Sequence, residues 1–210
     1  MGETTTDQGD FLADPQSPAL DRAALARVGD PGRPDRLAWN TFRTLALWEP
    51  DVWVPSLLEV ALGSPNPLSG REWAGTSVQA WATGLDLETT ADVILDGPEA
   101  LVLIEASVLP RPSVSELRTG MAKVIEVAGL GGRGVGFMLV TPDSDDVEPD
   151  LESAAAGPEM EALAGAIGWS TWVEVGRLAL DLAEEADPMR AEQVHRLVSQ
   201  LQARFPGLEF

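Results

Sequence analysis

Polar and apolar positions alternate along this chain in two distinct rhythms, and the change of rhythm marks out its elements. From Asp35 the run DRLAWNTFRTLALW places Leu37, Thr41, Thr44, Leu45 and Trp48 on one broad face at helical spacing. Glu49-Pro50-Asp51 interrupts and restarts the chain, and the spacing predicts a second helix over about 51–62, stopped by Gly63. The composition of SPNPLSG then reads as a loop. A strand-like block follows: TSVQAWATGL (76–85), ADVIL (91–95) and ALVLIEASV (100–108), the last two joined by Asp96-Gly97-Pro98-Glu99 as a hairpin. Residues 113–128, SVSELRTGMAKVIEVA, return to helical spacing, with a serine cap and an acid in the first turn. After the glycine-rich GLGGRG, VGFMLVT (135–141) reads as a strand, and PDSDDVEPDLE (142–152) as an acidic loop. The remainder predicts helices over roughly 151–166, 169–186 and 188–204, with Ser170 or Thr171 and Asp187-Pro188 as start signals.

Residues 1–34 are polar and rich in Pro, Gly, Asp and Thr. They read as a mobile N-terminal segment with a short helix over about 18–28, between Ser17-Pro18 and Gly29. Residues 35–210 form a single α/β domain by this reading, with the order helix, three strands, helix, strand, helices.

Composition narrows the chemistry. With no cysteine among 210 residues, disulfides, thiol nucleophiles and cysteine-held metals are excluded. One histidine, His195, lies beside Gln193 and Arg196 in a C-terminal helix, so it reads as a surface residue rather than a catalytic or zinc-binding one. The first residues, MGETTTDQGD, lack the basic and apolar regions of a secretory signal, and no run of about 18 apolar residues exists to span a membrane. The expected location is the cytoplasm.

Thirty-four acids against 14 bases give a net charge of −20, which repels nucleic-acid phosphates at long range. Only one of the bases, Lys123, is a lysine. The glycine loop 129–134 follows a helix and opens a strand, the reverse of a phosphate-binding loop, so it reads as a helix stop and turn. The seven tryptophans fall mostly on apolar faces and read as core.

The segment 91–107, ADVILDGPEALVLIEAS, carries the candidate chemistry. With a four-residue tip at 96–99, Leu95 would face Ala100 and Asp92 would face Leu103. Alternation then turns Asp92, Leu101, Leu103, Glu105 and Ser107 to one face, with Glu105 a diagonal neighbour of Asp92 about 7–8 Å away. Two converging carboxylates suit a hard divalent cation bound through oxygens and waters. Alternatively, the two acids cap strand ends at the solvent edge, or pair with Arg111 or Arg118.

An acid, an apolar hairpin, and an apolar strand ending in Glu with a helix after it resemble the core of the PD-(D/E)XK nucleases. Ala91-Asp92-Val93-Ile94, Leu103-Ile104-Glu105-Ala106-Ser107 and Leu139-Val140-Thr141 carry the likeness over about 75–141, and Trp169-Ser170-Thr171-Trp172 is similar to the C-terminal part of some bacterial members. The resemblance implies a restriction-endonuclease-like α/β fold: a mixed four-stranded sheet flanked by helices. It also implies Mg²⁺, or Mn²⁺ as a substitute, held by Asp92 and Glu105, and phosphodiester hydrolysis on nucleic acid. The family's lysine position is occupied by Ser107, which carries no charge. Lys123, on the following helix with Glu116 and Gly120, is either a relocated catalytic lysine or a solvated helix residue. A further acid from the first helices would be Glu49 or Glu59. The alternative implied by the missing lysine and the acidic surface is a catalytically degenerate member that binds a protein partner.

Overall fold

The computed structural model describes residues 34–80, 92–108, 111–129, 132–142, 147–207 and 209–210. The N-terminal segment with its expected helix at 18–28 lies outside the described residues. So do positions 81–85 of the expected first strand, Ala91, and residues 143–146 of the acidic loop.

Two helices open the described chain. α1 (Pro34–Leu45) starts on a proline, whose missing N–H costs nothing in a first turn. α2 (Pro50–Leu62) likewise begins on Pro50, carries Asp51 in its first turn, and stops where Gly63 takes φ 76° and donates its amide to the Glu59 carbonyl. Strands β1 (Ser77–Ala80), β2 (Val93–Asp96) and β3 (Ala100–Ala106) form an antiparallel meander. α3 (Val114–Gly129) then crosses over to β4 (Gly134–Thr141), which runs parallel to β3. After α4 (Glu148–Ala154) and a 3₁₀ turn (Pro158–Leu163), β5 (Ile167–Thr171) adds in parallel beside β4. α5 (Trp172–Glu184) and α6 (Pro188–Arg204) complete the chain.

The described sheet thus has five strands in the order β1-β2-β3-β4-β5, mixed and open, with helices on both faces. This corrects the expected four. The extra strand is β5, whose residues 169–171 carried helix-start signals. Thr171 does cap α5, in a reciprocal capping box with Glu174. The residues before it alternate half-buried and buried, which is a strand's pattern. The single helix expected over 151–166 is also corrected. Gly157, at φ 124°, followed by Pro158 separates α4 from the 3₁₀ turn, because neither the positive φ nor the residue preceding a proline suits a continuing helix.

β3 and β4 are apolar on both faces, as expected of strands covered on each side. Val93, Leu95, Val102, Ile104, Met138 and Val140 pack against α1, α2, α5 and α6. Ile94, Leu101, Leu103, Phe137 and Leu139 pack against α3, α4 and the 3₁₀ turn. Trp39, Trp53, Trp73 and Trp172 are buried, and Trp48 and Trp169 partly so, in line with the core reading; Trp81 lies outside the described residues. His195 is exposed on α6. Among the described residues no helix is long and apolar enough to cross a membrane.

Candidate functional site

The β2–β3 hairpin turns more tightly than its composition suggested. Gly97 donates its amide to the Ala100 carbonyl at 2.9 Å, leaving Pro98-Glu99 as a two-residue tip. A Cβ at Gly97 would lie 2.8 Å from Thr76 Oγ1, so the turn needs glycine there. Arg133 clasps the base of the turn, ion-paired with Asp96 and bonded to the Gly97 carbonyl at 2.9 Å.

Val93 consequently faces Ile104, and Ile94 faces Leu103. The expected pairing of Asp92 with Leu103 is therefore corrected by two residues. A two-residue shift preserves which face each side chain takes. Asp92 and Glu105 still share the α3 face, and continuing the register makes them direct rather than diagonal neighbours. Asp92 is buried, and its Oδ2 accepts the Ala106 amide at 2.7 Å. That bond fixes the carboxyl against the backbone of β3.

Burial first, then the charges of Asp92 and Glu116, push the Glu105 carboxyl up to about 8. The overlying helix comes close here because position 120 is glycine. A Cβ on Gly120 would lie 3.0 Å from the Phe137 ring and 3.4 Å from Glu105 Oε1. Glu116, two turns from Lys123 on α3, accepts the Ser113 amide at 2.8 Å and the Ser113 hydroxyl at 2.6 Å, which hold its carboxyl below the usual value. It therefore stays anionic and adds to the field on Glu105. At neutral pH Glu105 keeps its proton.

The other candidates are distributed around this pair. Ser107 is buried at the end of β3; its amide donates to the Val140 carbonyl at 2.8 Å, and its carbonyl accepts Trp172 Nε1–H at 2.9 Å. One step beyond the Ala106–Val140 pair, Ser107 stands beside Thr141, which pairs with Thr171. A row of hydroxyl residues thus closes the carboxyl edge of the parallel strands, where open α/β sheets commonly bind ligands. Lys123 is half-buried on α3, one turn beyond Gly120; the charges that shift Glu105 are those of Asp92 and Glu116. Arg118 is ion-paired with Glu159 and bonded to the Ala154 carbonyl at 3.1 Å, and Arg111 is half-buried just before α3.

Glu49 and Glu59 are exposed on or beside α2, whose buried residues pack on the sheet face opposite Glu105. The structure brings neither to the pair; the third acid acting on Glu105 is Glu116. The sequence marked Glu116 as the acid in the first turn of its helix and as a neighbour of Lys123, and not as an acid of the pair, because its effect on Glu105 depends on how α3 crosses β3. Among the described residues no group of three or more His, Asp or Glu side chains forms a metal cage. Mg²⁺, however, commonly takes only one or two protein carboxylates and keeps several waters.

No family model, curated protein or solved structure matches the chain.

Proposed function

We propose that this chain has a restriction-endonuclease-like core of the PD-(D/E)XK type, in which Asp92 and Glu105 take Mg²⁺, with Mn²⁺ as a substitute, for phosphodiester hydrolysis on nucleic acid. The observation that carries the reading is the Asp92–Glu105 pair on one sheet face at the carboxyl end of β3, with Asp92 buried on the Ala106 amide and Glu105 partly buried and raised by the Asp92 charge. The order helix, three strands, helix, strand supports it as well.

The donor set fits the ion. Carboxylate oxygens are hard ligands, and a cation between the two acids would offset the burial and like charge that hold Glu105 protonated. A bound cation of this kind polarises a phosphoryl oxygen and lowers the pKa of a bound water. The chain's own residues do the rest. The Ala106 amide fixes Asp92, Glu105 would lose its proton to serve as a ligand, and α3 closes one side of the pair through Gly120. Lys123, the sole lysine, is the residue assigned to orient the attacking water, in place of the lysine that Ser107 replaces.

Calorimetric titration of Mg²⁺ and Mn²⁺ into the wild type, Asp92→Ala and Glu105→Gln tests the centre. One site in the wild type, absent from both variants, is expected. A folded wild type that takes up neither ion would retire the reading. Metal-dependent cleavage across a panel of DNA and RNA substrates, lost in Lys123→Ala, then tests the reaction.

Ser107 at the lysine position, together with the −20 charge, favours a second reading: the same fold kept as a protein-binding module. A partner bound equally well by wild type and Asp92→Ala, with no cleavage of any substrate, would support that alternative.

A further inference from the structure

Trp172 joins the two sides of the sheet. It opens α5 and is fully buried in the core that faces α1, α2 and α6. Its indole N–H reaches out of that core and donates to the Ser107 carbonyl at 2.9 Å. The Ser107 amide donates in turn to the Val140 carbonyl at 2.8 Å, so β4 holds one backbone group of Ser107 and α5 the other. Ala106, just before it, gives its amide to Asp92 Oδ2 at 2.7 Å, and Glu105 precedes Ala106. Consecutive residues at the end of β3 thus carry one carboxyl of the pair, the amide that fixes the other, and the carbonyl that Trp172 grips.

Trp172 is held in its turn by the chain that follows α6. Phe205 stacks with the indole, ring centroids 6.3 Å apart and planes 21° apart. Gly176 lies one helical turn beyond Trp172, on the same face of α5. The Phe210 ring fills the space over it, so that a Cβ at 176 would lie 2.5 Å from the ring. Arg177 adds a bond to the Glu209 carbonyl at 3.0 Å. An indole has a single N–H in the plane of its ring, so it meets one carbonyl only while that plane is fixed. We propose that Trp172 is a positioning residue for the acid pair, aimed at Ser107 by the packing of Phe205 and Phe210. Packing on one face of the sheet then sets the placement of two carboxyls on the other. The geometry stands without a bound ion, and its consequence for cation affinity rests on the metal reading above.

Phe210→Ala empties the space over Gly176, and Gly176→Ala pushes the ring out while leaving Phe210 in the chain. Val194→Ala, in the buried face of α6, is the control for lost stability alone. On the full chain the readouts are the Trp172 indole N–H resonance, hydrogen exchange at the Ala106 amide, and Mn²⁺ affinity by calorimetry. Both Phe210→Ala and Gly176→Ala should shift the indole resonance, quicken exchange at Ala106 and weaken Mn²⁺ about tenfold, the usual scale for residues that orient metal ligands. The double variant should be no worse than Phe210→Ala, since both changes remove the same contact. Val194→Ala should lower the melting temperature and leave the indole resonance and Mn²⁺ affinity as in the wild type. The inference falls if Phe210→Ala and Gly176→Ala lose stability yet keep the wild-type resonance and Ala106 exchange. It falls equally if Val194→Ala matches them in every readout. A wild type that takes up no Mn²⁺ would retire the metal reading alone, and the indole resonance and Ala106 exchange would still decide the positioning role.

Discussion

Asp92 accepts the amide of Ala106 at 2.7 Å, so one member of the acid pair is held by the backbone of the residue that follows the other, Glu105. Glu105 is pushed up first by its burial and then by the charges of Asp92 and Glu116. The close approach of α3 at Gly120 brings the helix down over its carboxyl.

Glu105 makes stability depend on pH in a stated direction. Its carboxyl is raised from 4.5 to about 8, so between those values the folded chain binds more proton than the unfolded one. Its contribution is fully present below about pH 4.5 and is lost as pH rises through about 8. Urea unfolding of the wild type should lose stability on the order of a few kcal/mol across that window from this group. Glu105→Gln, which keeps the neutral shape, should lack that slope and exceed the wild type in stability at pH 8.5.

Cation uptake should release a proton for the same reason. On the proposed reading a divalent ion would displace the Glu105 proton at pH 7, so the observed heat should vary with the ionisation enthalpy of the buffer, and affinity should rise from pH 6 towards pH 8. Asp92→Asn removes the charge that raises Glu105 and should bring its pKa down, a shift readable by carboxyl NMR.

Gly168 in β5 faces the carbonyl oxygen of Ala61 on α2, so closely that a Cβ at 168 would overlap it. Backbone cannot swing aside as a side chain can. Gly168→Ala should therefore destabilise the fold by on the order of 3 kcal/mol, through displacement of α2 from the sheet, as measured by chemical denaturation.

Trp172 ties the start of α5 to the end of β3 through its indole N–H on the Ser107 carbonyl. Trp172→Phe keeps much of the packing but leaves that buried carbonyl without its donor, and should cost about 1–3 kcal/mol in a denaturation experiment. Because the anchored residue lies two positions from Glu105, amide exchange at the end of β3 should quicken in the variant.

Local signals carried far in this chain. Helices starting at Pro50 and Pro188, the Ser113 cap and the apolar runs of β3 and β4 were all legible, because caps, breakers and unbroken apolar strands depend on neighbours within a few residues. The shared face of Asp92 and Glu105 was legible too, since alternation depends only on parity. Their register was not. The tip contracted to Pro98-Glu99 because Gly97 meets Thr76 and Arg133, residues 21 and 36 positions away.

The sequence by itself determined the α/β class, the absence of cysteine chemistry, the surplus of acid, and which acids alternate onto one face of a hairpin. Only the tertiary structure decided that β5 is a strand, since Gly168 packs on α2, and that Glu116 rather than Glu49 or Glu59 acts on Glu105. The physical reason is range. Caps and periodicity act over one or two turns, whereas burial, register and the field at a carboxylate are sums over groups that only the folded chain brings together.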